Sequence, residues 1–118
     1  MAQELSDFKW KNRVLLLIDN GVNTQSIDQQ VEAFKNHSAA FQERDLVYFI
    51  ITPKAIYNSE KTPIKLGGLD AYQKNNFKGL ILLGKDGGIK LKESFVVSAE
   101  VINAFIDSMP MRRSEIKS

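Results

Sequence analysis

Three short runs of apolar residues stand out along the chain, each of strand rather than helix length. Arg13-Val14-Leu15-Leu16-Leu17-Ile18, Leu46-Val47-Tyr48-Phe49-Ile50-Ile51 and Gly79-Leu80-Ile81-Leu82-Leu83 are continuous rather than alternating. Runs of that kind suit strands buried on both faces, as in a parallel sheet. Ile89-Lys90-Leu91-Lys92 alternates instead. It reads as an edge strand with one wet face, its lysines discouraging pairing with another chain. Gly84-Lys85-Asp86-Gly87-Gly88 separates it from the third run, and an Asp-Gly step between two strand patterns predicts a hairpin.

Two stretches repeat at helical spacing. Ile27, Val31, Phe34, Ser38 and Phe41 share one face of a helix predicted over about 27–44, with Gln29, Gln30, Lys35, Asn36 and Gln42 on the other. His37 falls mid-helix and reads as a surface histidine. Val101, Ile102, Phe105, Ile106 and Met109 make the stripe of a last helix. Ser98 caps it, Glu100 suits its positive end and Pro110 stops it. Residues 1–12 read as a lead-in whose aromatics pack on the domain edge, and 111–118 as a polar, partly mobile tail. Between Pro53 and Lys78 the pattern is poor, with a short helix expected only over 69–75. Such a segment is where a functional loop would lie.

The order is strand, helix, strand, irregular segment, strand, hairpin, strand, helix. It predicts one α/β domain over 1–118, a parallel βαβ half followed by a ββα half. Four strands form a mixed sheet with helices on both faces, which is a thioredoxin-like three-layer sandwich.

Composition narrows the function classes. The chain of 118 residues is 43% hydrophobic and 25% charged, enough for a packed core and too little charge for disorder. Its 16 basic and 14 acidic residues are mixed along the chain. No basic stripe forms, so nucleic acid is not an expected partner. Cysteine is absent, which excludes a disulfide framework, a thiol nucleophile, a CxxC pair and every thiolate metal site. No stretch approaches the roughly 20 apolar residues that span a membrane. The N-terminal residues 1–7 lack a basic n-region and a hydrophobic h-region, so the setting is cytoplasmic unless a signal has been removed. With one histidine, no G-x-S-x-G and no G-x-x-x-x-G-K-[ST], no residue is assigned a catalytic or metal-ligating role, and no cofactor is expected.

Four segments carry a family resemblance. They are Phe8-Lys9-Trp10-Lys11-Asn12-Arg13-Val14-Leu15-Leu16, Leu83-Gly84-Lys85-Asp86-Gly87-Gly88-Ile89-Lys90-Leu91, Ile106-Asp107-Ser108-Met109-Pro110-Met111-Arg112-Arg113-Ser114-Glu115 and, more weakly, Glu43-Arg44-Asp45-Leu46-Val47. Together they resemble the P-DUDES domain, a bacterial family without assigned activity, related to modules of secreted sushi-repeat and equarin-type proteins. The resemblance implies a thioredoxin-like fold close to peroxiredoxins, and export. It does not bring their chemistry. The thiolate such chemistry needs would sit near the start of the first helix, where this chain reads Asp19-Asn20-Gly21-Val22-Asn23-Thr24-Gln25-Ser26.

In a sheet of this kind ligands bind beyond the carboxyl ends of the strands, which points to Asp19, Asn20, Asn23 and Thr24. Turn chemistry and an N-cap account for the same residues. Arg112 and Arg113 form a second candidate, a bidentate clamp for a carboxylate or phosphate. Interaction with the negative helix end accounts for them equally. The lysines of 54–78 with Tyr57 and Tyr72 suggest either a weak polyanion- or glycan-binding face or a solvated surface. The expected function is a non-catalytic binding or interaction module taking an unknown protein or a small anionic ligand. The alternative is a thiol-independent enzyme, with Asp19 as acid or base and Arg112 or Arg113 holding the substrate.

Overall fold

A computed structural model describes residues 3–21, 25–72 and 77–116. Its strands are β1 (Gln3–Glu4), β2 (Arg13–Ile18), β3 (Leu46–Ile51), β4 (Ile56–Tyr57), β5 (Pro63–Ile64), β6 (Leu66–Gly67), β7 (Gly79–Leu83) and β8 (Ile89–Glu93). Its α-helices are α1 (Gln25–Phe34), α2 (Ser38–Glu43), α3 (Ala99–Asp107) and α4 (Pro110–Ile116).

The main sheet runs β5-β4-β3-β2-β7-β8. β2 and β3 are parallel, from Arg13 opposite Leu46 to Ile18 opposite Ile51. β7 lies antiparallel on the other side of β2, and β8 returns from it at the edge. Every residue of β2 is buried, the physical reason its sequence is continuously apolar rather than alternating. The four expected strands are thus contiguous in a mixed sheet. The sheet itself has six strands rather than four, because the Pro53–Lys78 segment adds the β4–β5 hairpin beside β3. Two-residue strands are too short to leave a periodic signal.

Two apolar clusters flank the sheet. Leu15, Leu17, Leu80 and Leu82 pack with Ile27 and Phe34 of α1, Phe41 of α2 and Ile102 and Ile106 of α3. On the opposite face, Val14, Leu16, Ile81 and Leu83 meet Leu66, Leu69, Leu5, Phe8 and Tyr72. Among the described residues that second face is covered by the pairing of β1 with β6 and by short 3-10 turns at Leu5–Phe8 and Asp70–Tyr72. Among the described residues, α-helices cover the first face only. Of the helix expected over 69–75, residues 70–72 form this 3-10 turn and 73–75 lie outside the described residues.

The helix expected over 27–44 is two helices. The chain breaks at Lys35–His37, where Asn36 takes a left-handed φ of 69°, a conformation asparagine tolerates. His37 therefore stands at the start of α2, not mid-helix. The break folds Phe41 back onto Phe34, ring centroids 5.0 Å apart and edge to face. Gln30, expected on the polar side, is fully buried. Its amide donates to Val97 O at 2.7 Å and accepts from Val97 N–H at 2.8 Å, tying α1 to the approach to α3 as a strand neighbour would. Ser98 caps α3 as expected, its Oγ accepting from Val101 N–H at 3.2 Å.

The tail is also corrected. Residues 110–116 form α4. Pro110 ends α3 and opens the next helix, where its missing N–H costs nothing and its fixed φ suits the first turn. The lead-in is more ordered than expected, though half of its aromatic prediction fails. Phe8 packs on Phe49 at 5.4 Å, whereas Trp10 is 68% exposed.

Candidate functional site

The sheet has two poles, and the sequence candidates divide between them. Arg13 opens β2 and Asp19 follows its end, so six residues at about 3.3 Å each put roughly 20 Å between the poles.

At the pole where β2 and β3 end, Asp19 is buried. Its N–H donates to Ile51 O at 2.8 Å, continuing the ladder one residue beyond the strand. Its carboxylate accepts from Gly21 N–H at 3.3 Å, closing a tight turn in which Gly21 holds φ at 86°, as glycine readily does. A cleft of about 250 Å³ opens beside it. Ile27, Val31, Ile50 and Tyr57 form apolar walls, and Asp19, Asp28, Thr52 and Lys61 supply polar groups. Thr52 Oγ1 is already committed locally, donating to Ala55 O at 2.8 Å and accepting from Ala55 N–H at 3.0 Å. Asn20 is half-buried. Asn23 and Thr24 lie outside the described residues. The cleft presents carboxylates, a lysine and a phenol beside apolar walls.

The opposite pole holds a closed network of charge. Arg13, 1% exposed, forks onto Glu115 with its two terminal nitrogens at 3.3 and 3.2 Å and donates to Arg44 O at 2.8 Å. Arg44 forks onto Asp107 at 3.0 and 2.9 Å. Arg112 donates to Asp107 at 3.2 Å and to the Glu43 carboxylate at 3.2 Å. Lys85 Nζ reaches Asp45 at 2.8 Å and Glu115 at 2.7 Å. Four cations thus meet four carboxylates. Planar forks fix geometry as well as charge.

Topology explains the convergence. β7 runs antiparallel to β2, with Leu83 opposite Val14, so the hairpin residue Lys85 returns to the end that carries Arg13. Trp10 N–H donates to Lys85 O at 2.7 Å and fastens that return. The turn from α2 into β3, with Asp45 at a left-handed φ of 53°, brings Glu43, Arg44 and Asp45 alongside. α3 and α4 add the remainder from above.

The ionisation of these groups follows from their partners. Hydrogen bonds from Arg44 hold Asp107 below its ordinary value, with burial opposing and Arg112 assisting. Burial pushes Glu115 up, but the bonds from Lys85 and Arg13 outweigh it and leave the carboxyl low. Burial likewise works against charged Lys85, yet Asp45 and Glu115 raise it above the ordinary lysine value.

The two arginines proposed as a clamp do not act together. Arg112 is 5% exposed and engaged, while Arg113 is exposed. Neither comes to Asp19, and the arrangement required for an Asp19–arginine active site is not assembled. His37 lies 3.6 Å from Glu100, between α2 and α3. Tyr57 and Lys61 line the strand-end cleft, and Tyr72 lines a different one near Phe8. Sequence reasoning missed Arg13, Arg44, Lys85, Asp107 and Glu115 as a unit. Each sits at or just beyond the end of an element, where periodicity carries no information. The four segments that carry the family resemblance nevertheless supply all eight network residues.

Comparison with known proteins agrees with the architecture. A family model described as a domain of unknown function, DUF4174, matches residues 4–115. No curated protein matches the chain. The crystal structure of the thioredoxin-like superfamily protein SPOA0173 is similar, with a TM-score of 0.58, 17% identity, and coverage of 88% of this chain and 82% of that one. The fold is thioredoxin-like, without cysteine. Among the described residues, no helix is long and apolar enough to cross a membrane.

Proposed function

The chain belongs to the DUF4174 family, a domain of unknown function, and from that premise we propose that it is a non-catalytic binding module whose ligand seats in the strand-end cleft. One observation carries the reading. The buried arginine that an anionic substrate would need is consumed by internal carboxylates, while the strand-end cleft keeps apolar walls beside Asp19, Asp28 and Lys61. The whole span of 118 residues is read as one domain, supported by a single main sheet with a core cluster on each face. The finer kinship proposed is with the P-DUDES group, supported by the meeting of its four segments in one network. The expected setting is the envelope or exterior of a bacterial cell, as that kinship implies.

The test is amide chemical-shift mapping with a fragment set of small amphipathic compounds. Perturbations should centre on Ile27, Asp28, Thr52, Tyr57 and Lys61. Val31→Trp, which fills the cleft, should abolish them while circular dichroism shows the fold retained. Perturbations centred on the Arg13–Arg112 network would reject the reading. So would catalytic consumption of peroxide by the metal-free protein.

A further inference from the structure

The edge of β3 is only half covered. Arg13 N–H donates to Asp45 O at 2.9 Å and Asp19 N–H to Ile51 O at 2.8 Å. In a parallel ladder those two bonds fix the alternation. Odd-numbered residues of β3 turn their amides and carbonyls toward β2, and even-numbered residues turn theirs to the opposite edge. At its far end that edge is occupied. Ile50 pairs with Tyr57 of β4, and Thr52 N–H donates to Ala55 O at 2.9 Å. β4 stops at Tyr57, and the chain turns back through Asn58–Thr62, closed by Lys61 N–H to Asn58 O and Asn58 N–H to Thr62 O, both 3.0 Å. Among the described residues no strand covers the outward backbone groups of Leu46 and Tyr48.

What lies there is a cleft of about 530 Å³. Its floor is aromatic. Phe34 stacks within 5.0 Å of Phe41 and 5.3 Å of Tyr48, and all three line the space. Asp45 and Glu60 line it, with no lysine or arginine. Asp45 already accepts from Lys85 at 2.8 Å, which leaves Glu60 as the open charge. The Glu60 carboxylate forms no ion pair among the described residues.

We propose that this open half-edge takes up an extended segment of a partner protein as a short added strand, with a lysine or arginine of that segment directed to Glu60. The unpaired ladder positions supply main-chain hydrogen bonds, the mode of β-strand addition. Glu60 selects for a basic side chain, whose aliphatic stem and cation both suit an aromatic floor. The outer strand β8 is the other long edge, but its Lys90 and Lys92 repel a basic segment and guard against pairing. The proposal is independent of the strand-end cleft, which lies beyond Ile51 at the other end of β3.

The test uses the full chain and a capped six-residue peptide alternating lysine and valine, with amide shift mapping as the readout. Shifts are expected at Leu46, Tyr48, Ser59 and Glu60. Two backbone N-methylated peptides, one for each alternate set of amides, should split. One set loses binding and the other keeps it, because only one set faces β3. A glutamate–valine peptide should not bind. Glu60→Lys, an exposed substitution, should weaken the lysine peptide about threefold, the range of an exposed charge pair. The proposal is overturned by no binding of the lysine peptide, by shifts centred on β8 or on Asp28 and Tyr57, by N-methylated peptides that both bind or both fail, or by equal binding of the glutamate peptide.

Discussion

The two poles of the sheet use charge in opposite ways. At the start of β2, four cations and four carboxylates satisfy one another. At its end, Asp19, Asp28 and Lys61 border an open cleft with apolar walls. The difference shows why a buried, well-formed arginine cluster is not by itself a binding site. Charge whose hydrogen-bonding capacity is already spent inside the protein has little left to offer a ligand. Polar groups beside empty apolar space do.

The sharpest way to break this comparison is to remove a cation from the closed pole. Arg13→Ala or Arg112→Ala removes a buried guanidinium that ties separate elements together, while the part-exposed carboxylates keep a second cation, Lys85 on Glu115 and Arg44 on Asp107. Urea denaturation should show a loss of about 2–3 kcal/mol. A loss under about 1 kcal/mol would mean that the network is ornamental and its arginines are free for other duty. Gln30→Leu provides a neutral yardstick away from both poles. It strands the N–H and carbonyl of Val97, and the expected cost is about 2–3 kcal/mol. Asp19→Asn, at the open pole, should cost under about 1 kcal/mol, because an amide oxygen still accepts from Gly21.

Acid should discriminate the poles as well. Asp107 and Glu115 sit below their ordinary values of 3.8 and 4.5 in the folded protein. Groups depressed by folding stabilise fully above the unfolded values and lose that contribution as pH falls through the folded ones. Stability measured by thermal melts should therefore be flat from about pH 7 to pH 6 and fall below about pH 5. Arg112→Ala should flatten the fall, since Asp107 then loses one of the partners that depress it. An unchanged acid slope in that variant would separate the network from acid stability. The smallest expected effect is none. Insulin reduction and peroxide consumption should stay at background, since the chain holds no cysteine.

Much of the fold was legible in the chain because burial writes itself locally. β2 is apolar at consecutive positions since both of its faces are covered. β8 alternates because it is an edge, and Asp86-Gly87 marks the turn between β7 and β8, with Gly87 at a φ of 86°. The break at Asn36 was not legible. Ile27 to Phe41 keeps helical spacing across it, so the pattern cannot distinguish one helix from two that pack on the same face. Pro110 was read as a stop, though proline opens a helix as readily as it closes one. The candidate site was legible only in part. Asp19 follows from strand-end position, but the cleft beside it is completed by Tyr57 and Lys61, from a segment without a readable pattern.

The absence of thiol chemistry was settled by the sequence alone, because a residue type that is nowhere in the chain cannot be supplied by folding. The fate of the double arginine was not. Arg13 and Glu115 are 102 residues apart, and no local rule connects them. Only the antiparallel return of β7 and the docking of α4 bring Lys85, Arg112 and Glu115 to the end of β2 that carries Arg13. Pairing of charges is a property of distance in space, and distance in space is decided by the tertiary fold.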